Sequence, residues 1–441
     1  MKRELMRHLL VAVAALAFTA AAQGGEMNIT GTCALPVKDI CDLKQSYDIS
    51  GFRLGGKYDL DKPESWQFGG EGGTTLESLG MPPLRVSYIA VGTPRYNDRG
   101  EINNAIVINS YYSGDAANMY NFWVKGHALS GEPLIGKGRL FDTDKYYIVM
   151  VDAIGLWGAS KPSNGLGLKF PQYSNFDLVQ ANYRLLRDKL NVGQVELVTG
   201  VSMGGTQSWV WGVMHSASGF VKAIMPIGGT TGSDSAGDPL TKWVFGLMTS
   251  AIKSDPVWQK TNGDYYHLPK EQHPLMGVAF GWSVLNHTGF DFAFRASQPM
   301  GTVEPLIFDW EPKGKQASGV IAQAKNFDAV DLVYRNNAGD LHNVNKELGR
   351  IKARTLVIHV ENDQWLVMSK AKAAAAKVPG AGFASFRDKF AHYAVFKAPN
   401  ELKATIAPFI ADKWTAGATV ASVAPMAAAS APAAKPAGLS K

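Results

Sequence analysis

The chain has 441 residues, of which 46% are hydrophobic and 19% charged. That composition is too apolar for a disordered chain and too mixed for a fibre or a long coiled coil. Lys and Arg outnumber Asp and Glu by 44 to 38, giving a net charge of +6, and no run of five or six basic residues occurs. A solvated, mildly basic surface is expected, and no nucleic-acid partner.

Residues 1–22 read as a signal peptide. Lys2, Arg3 and Arg7 open it, Leu9 to Phe18 is an unbroken apolar run, and Ala20, Ala21 and Ala22 supply small residues for cleavage before Gln23. Ten apolar residues are too few to cross a bilayer, which takes about 20. No stable membrane insertion is therefore expected, and a periplasmic or secreted location is. The two cysteines, Cys33 and Cys41, follow the cleavage site closely. In an oxidising compartment such a pair predicts a disulfide.

Residues 23–80 form an N-terminal extension rich in turn signals, including Gly55-Gly56, Gly69-Gly70 and Gly72-Gly73. The Gly69–Thr75 segment lacks the lysine of a phosphate-binding loop and reads as plain loop. Beyond it, short apolar runs alternate with helical patterns. Strands are predicted at 105–109, 146–152, 195–199, 223–227 and 355–360. A helix is predicted over 175–190, with Phe176, Leu178, Val179, Leu185, Leu186 and Leu190 at helical spacing. This alternation predicts βαβ units and a mostly parallel, doubly wound sheet. Continuous β-branched runs fit strands covered on both faces. From about 228 to 341 the rhythm breaks into helical, Trp- and Phe-rich sequence. The divisions expected are a first core part at 81–230, a helical lid at 231–345, a second core part at 346–415 and an Ala/Pro-rich tail at 416–441.

The sharpest motif is Gly200-Val201-Ser202-Met203-Gly204, a G-x-S-x-G directly after a predicted strand and before a predicted helix. That context defines a nucleophile elbow of an α/β-hydrolase fold, whose glycines leave room for a tight turn. A serine needs a base, and the base needs an orienting acid. In this fold they follow in the order Ser, acid, His. Of the nine histidines, only His392 follows a plausible acid late in the chain. Asp363, in the loop after strand 355–360, is the expected acid, with Glu361 as its alternative. His359 reads as structural, and His267, His273, His287 and His342 as lid or surface residues. The oxyanion N–H groups are expected from Met203 and, in the loop Ser110–Asp115, from Tyr112. Trp157 and Trp365, on loops after strands, are expected in a substrate pocket with Tyr111 and Tyr393. No metal-binding spacing occurs, and no cofactor is expected.

Several of these stretches resemble homoserine O-acetyltransferases of the α/β-hydrolase superfamily. The similar segments are Met81–Tyr88 with Gly92-Thr93, Ile135–Gly138 through Phe141–Tyr147, the Ser202 elbow, Phe327–Ala329 through Asp340 and Val344, and the pairing of Asp363 with His392. The resemblance spans about residues 80–400. It implies the triad Ser202, Asp363 and His392, an acyl-serine intermediate and a helical lid. The family's dimers, formed through the lid, make a homodimer an expectation. Three departures stand out. The family's carboxylate-clamping arginine is missing from the segment Phe245–Ile252, where Thr249 or a neighbour takes its place. Tyr393 stands where the family has an aspartate after its histidine. Ser110-Tyr111-Tyr112 replaces a His-Ala-Leu type loop. The reading is therefore an esterase acting on a small-molecule acyl ester. The alternatives are an O-acyltransferase with another acceptor and a binding protein on a hydrolase fold.

Overall fold

The computed structural model describes residues 33–34, 38–127, 129–232, 239–296 and 320–413. The expected signal peptide (1–22) and tail (416–441) lie outside the described residues. The backbone is organised by an eight-stranded sheet. Its strands are β1 Gln45–Ile49, β2 Leu84–Gly92, β3 Ala105–Asn109, β4 Tyr147–Val151, β5 Val195–Val201, β6 Ala223–Ile227, β7 Arg354–Val360 and β8 Gly382–Phe386. Their spatial order is β1-β2-β4-β3-β5-β6-β7-β8. The pairs from β4 through β3 to β8 are parallel. β2 runs antiparallel to both β1 and β4.

The central strands form because both of their faces are covered. Every residue of β3 and β6 is buried. Period-two alternation sends Val107, Val149, Val198 and Ile224 into one apolar cluster. It sends Ile106, Ile108, Ile148, Met150, Leu197 and Met225 into the other. The longer helices are α1 Ala116–Tyr120, α2 Asn175–Arg184, α3 Met203–His215, α4 Pro239–Lys253, α5 Pro256–Thr261, α6 Leu275–Gly289, α7 Phe292–Ala296, α8 Val320–Ala324, α9 Ala329–Asp340, α10 Met368–Ala375 and α11 Lys403–Ile410. The helix expected over 175–190 is α2 continued by a π turn at Leu185–Lys189.

Two strands of this sheet escaped the sequence reading. β1 falls inside residues 23–80, so that stretch is not wholly an extension outside the sheet. Only Ile49 of β1 is buried, and an edge strand with one covered residue shows no apolar run. β8 buries alternate small and aromatic residues and carries no continuous β-branched signal. Between α4 and α9 the described residues form helices and no strand. Val244, Met248 and Ile252 of α4 meet Val278, Trp282 and Leu285 of α6 in the same cluster as the sheet's Val107 and Val198. Spacings of three and four residues put each set on one helix face. The lid is thus welded to the core. Trp282 and Trp258 are buried in it, and Trp243 is exposed.

Candidate active site

Ser202 sits between β5 and α3 with φ 55° and ψ −120°. That conformation costs a non-glycine residue on the order of 1–3 kcal/mol. The neighbouring glycines permit it. A Cβ on Gly200 would lie 2.8 Å from the Asn109 carbonyl oxygen, and one on Gly204 would lie 2.5 Å from it. The Ser202 N–H donates to the Ile227 carbonyl at 2.9 Å, anchoring the turn to β6. Replacing Gly204 with alanine is expected to destabilise the fold by about 2–3 kcal/mol, because the contact is with backbone and cannot swing away. A urea-denaturation midpoint equal to the parent's would show that the elbow relaxes freely.

The Ser202 hydroxyl lies 2.8 Å from His392 Nε2. His392 Nδ1 lies 2.6 Å from Asp363 Oδ2. Asp363 follows β7, where its other oxygen, Oδ1, accepts from the Trp365 N–H (2.8 Å) and the Leu366 N–H (3.0 Å). Burial alone would raise the Asp363 carboxyl. The His392 imidazole beside it and the Leu366 N–H outweigh burial and hold it below the usual carboxylate range. With the carboxylate ionised, the imidazole places its proton on Nδ1 and leaves Nε2 free to accept from Ser202. Glu361, the alternative acid, instead accepts from the Ser385 hydroxyl.

The loop after β3 packs on the elbow. The Gln207 amide of α3 donates to the Ser110 carbonyl at 3.1 Å. The Asn109 side chain accepts from Trp211 Nε1 at 3.2 Å and donates to the Thr199 carbonyl at 3.1 Å. Met203 is the first residue of α3, so its N–H has no partner within the helix. The Tyr112 hydroxyl donates to Asn336 Oδ1 of α9 at 2.6 Å, and its ring stacks on Phe245 of α4 at 5.0 Å. This loop therefore touches both the elbow and the lid.

A cavity of about 80 Å³ opens at Ser202 and His392. Tyr111, Tyr112, Met203, Phe245, Leu285, Trp365, Tyr393 and Phe396 form much of its wall, and among the described residues no Asp, Glu, Lys or Arg lines it. The Trp365 ring lies 4.4 Å from that of His392, and its Nε1 donates to Thr288 Oγ1 of α6 at 2.8 Å. The Tyr393 hydroxyl donates to Asn286 Oδ1 at 3.3 Å. Trp157 is a correction, because it does not line the cavity. Its Nε1 donates to the Ser113 carbonyl at 2.8 Å and its ring meets Phe327, so it supports the loop from behind. A loop after a strand can face the site or brace it, and spacing does not distinguish the two. His359 is buried in β7 as expected. His342 is not at the surface: it is fully buried beside the Thr230 carbonyl, and burial lowers its pKa to about 4.

Sequence reasoning missed Gln207, Asn336 and Asn286. Thr249 Oγ1 accepts from Asn336 Nδ2 at 2.9 Å, so the arginine's expected place is occupied by a neutral network. The absence of the arginine and Thr249 at its place were visible in advance; the partner Asn336, 87 residues on, was not. The Cys33 and Cys41 sulfurs are bonded at 2.10 Å, closing a small loop that stabilises by about 2.5 kcal/mol in the chain-entropy account.

No protein-family model matches the chain. An ethyl acetate hydrolase of Pseudomonas veronii is 27% identical over 306 residues, covering 67% of this chain and 80% of the relative. A homoserine O-acetyltransferase of Thermobifida fusca is 26% identical over 344 residues, covering 73% and 84%. Among solved structures, an acetylester hydrolase from Corynebacterium glutamicum superposes with a TM-score of 0.65 at 20% identity, covering 83% of this chain and 96% of that one. A homoserine O-acetyltransferase from Bacillus anthracis gives 0.62 at 18% identity, covering 85% and 98%. The chain is therefore an α/β-hydrolase-fold enzyme of the hydrolase or acyltransferase kind, similar in sequence to homoserine O-acetyltransferases and to an ethyl acetate hydrolase.

Proposed function

We propose that the chain is a serine esterase that hydrolyses small, uncharged acyl esters outside the cytoplasm. The observation that carries this reading is His392 bridging Ser202 Oγ and the Asp363 carboxylate. His392 takes the Ser202 proton as the oxygen attacks the ester carbonyl. The Met203 and Tyr112 N–H groups hold the oxyanion. His392 then passes the proton to the departing alcohol, leaving an acyl-serine. Water, deprotonated by His392, releases the acid.

The cavity supports the substrate class. A water needs about 10–15 Å³ of such space, so about 80 Å³ holds a handful of heavy atoms, the size of a short acyl group. Among the described residues its wall carries no lysine or arginine to pair with a carboxylate. These features favour an ester with neutral substituents over an amino-acid acceptor. The Cys33–Cys41 bond and the signal-like start support export.

The test is turnover of p-nitrophenyl acetate by the mature chain, alone, with small alcohols and with homoserine. Steady release of acetate unaffected by homoserine is expected. Stoichiometric formation of O-acetylhomoserine would overturn hydrolysis in favour of acyl transfer. No turnover, with Ser202 inert to a fluorophosphonate, would leave the binding-protein reading.

A further inference from the structure

A buried charged cluster lies away from the triad, where the N-terminal segment meets the loop after β3. Asp115 ends that loop and caps α1. Its Oδ1 accepts from the Asn118 N–H at 2.8 Å, and its own N–H donates to Asn118 Oδ1 at 3.2 Å. Its Oδ2 takes two donors from the N-terminal segment: the Ala34 N–H and Lys44 Nζ, both at 2.9 Å. Lys44 Nζ also donates to Asp152 Oδ2 at 2.7 Å. The other Asp152 oxygen accepts from the Ala116 N–H at 2.8 Å. Asp115 and Asp152 are fully buried, and Lys44 nearly so.

Two buried carboxylates thus share one ammonium. Burial pulls the Lys44 pKa down, but Asp115 and Asp152 more than offset it and keep the ammonium charged. Without that charge the carboxylates would repel each other in a poorly solvating interior. One of them would then take up a proton or move apart, and either change loosens the end of the loop, because Asp115 follows Ser113-Gly114 directly. The disulfide sets the geometry. Cys33 adjoins Ala34 and Cys41 lies three residues before Lys44, so closing the Cys33–Cys41 bond brings both donors to one carboxylate oxygen. Ile40, inside the loop, is buried in the same apolar cluster as Tyr111 and Ala116.

We propose that the Cys33–Cys41 disulfide is a clamp, with Lys44 as its positioning residue, that holds the oxyanion loop Ser110–Gly114 in its working geometry, so that full activity requires the Cys33–Cys41 bond. The proposal rests on the esterase reading. Lys44 does not touch substrate. It acts through Asp115 and therefore bears on transition-state binding more than on ground-state binding.

The experiment measures p-nitrophenyl acetate kinetics for the native chain, for Lys44→Met, for the Cys33→Ser/Cys41→Ser pair, and for native enzyme reduced by dithiothreitol. The reductant is oxidised to its cyclic disulfide as the protein gains two thiols. Each sample is assayed where its near-ultraviolet dichroism matches the native spectrum. Lys44→Met is expected to lose at least tenfold in kcat with KM within twofold. Reduction is expected to lower kcat similarly, and reoxidation with oxidised glutathione to restore it. A purely stabilising loop would lower Tm and leave kcat alone, which overturns the proposal. Should Lys44→Met fail to fold, reduction decides: unchanged kcat with both thiols titrated overturns it. A native enzyme with neither turnover nor fluorophosphonate labelling overturns the esterase reading and the clamp with it, whereas an active native enzyme with equally active variants overturns only the clamp.

Discussion

Ser202→Ala is expected to lose about 10⁴- to 10⁶-fold in kcat on p-nitrophenyl acetate, leaving only what the oxyanion N–H groups and binding supply. The loss follows from position as well as chemistry. Ser202 is held at φ 55° by Gly200, Gly204 and the bond to Ile227, and that turn presents its hydroxyl to His392 Nε2. Alanine keeps the backbone, and the fold should survive with an unchanged melting temperature. KM should change little, since the hydroxyl adds little to ground-state binding. Intact-mass spectrometry of native enzyme quenched during p-nitrophenyl acetate turnover should show one acetyl group, with p-nitrophenol released, and none on the variant. A folded variant retaining more than a hundredth of the native rate would assign the chemistry to another residue.

The second large effect is expected for Asp363→Asn, about a 10⁴-fold loss in kcat at neutral pH. The hydrogen bonds around Asp363 dictate which way the amide turns. Oδ1 accepts from two backbone N–H groups, of Trp365 and Leu366. An asparagine must keep its oxygen there, because an NH₂ facing two N–H donors would leave them all unsatisfied. Its NH₂ then faces His392 Nδ1, which must accept, so the ring proton moves to Nε2. In that tautomer Nε2 points a proton at Ser202 and cannot take one. The fold should persist while catalysis fails, and nitrogen NMR of His392 would report the exchanged tautomer. A variant with native kcat would show that Asp363 does not orient the base. In the native protein Asp363 sits below the usual carboxylate range, so its ionised form favours the fold. That contribution is present above the unfolded carboxylate pKa and is lost as pH falls through the lower folded value.

The strands at 105–109 and 223–227 were legible because burial on both faces demands near-continuous apolar runs. Ser202 was legible because a strand-to-helix elbow imposes glycines at fixed offsets. Asp363 and His392 followed from chain order, and the structure places them 2.6 Å apart. β1 and β8 were not legible, since an edge strand need not be apolar on both faces. Trp157 and Trp365 looked alike in sequence. One braces the Ser113 carbonyl and the other covers His392, a difference set by which way each loop turns.

What the sequence determined by itself is therefore the local and the periodic: the fold class, the elbow and the set of residues able to do nucleophilic chemistry. These depend on side chains a few positions apart, where stereochemistry is fixed by backbone period. Only the tertiary structure decided which distant groups converge. Lys44 meets Asp115 and Asp152 across 71 and 108 residues, and Tyr112 reaches Asn336 across 224. No local period encodes such meetings. They arise when the sheet and lid bury their apolar faces together, and the polar groups carried inside must then find partners or cost the fold their desolvation.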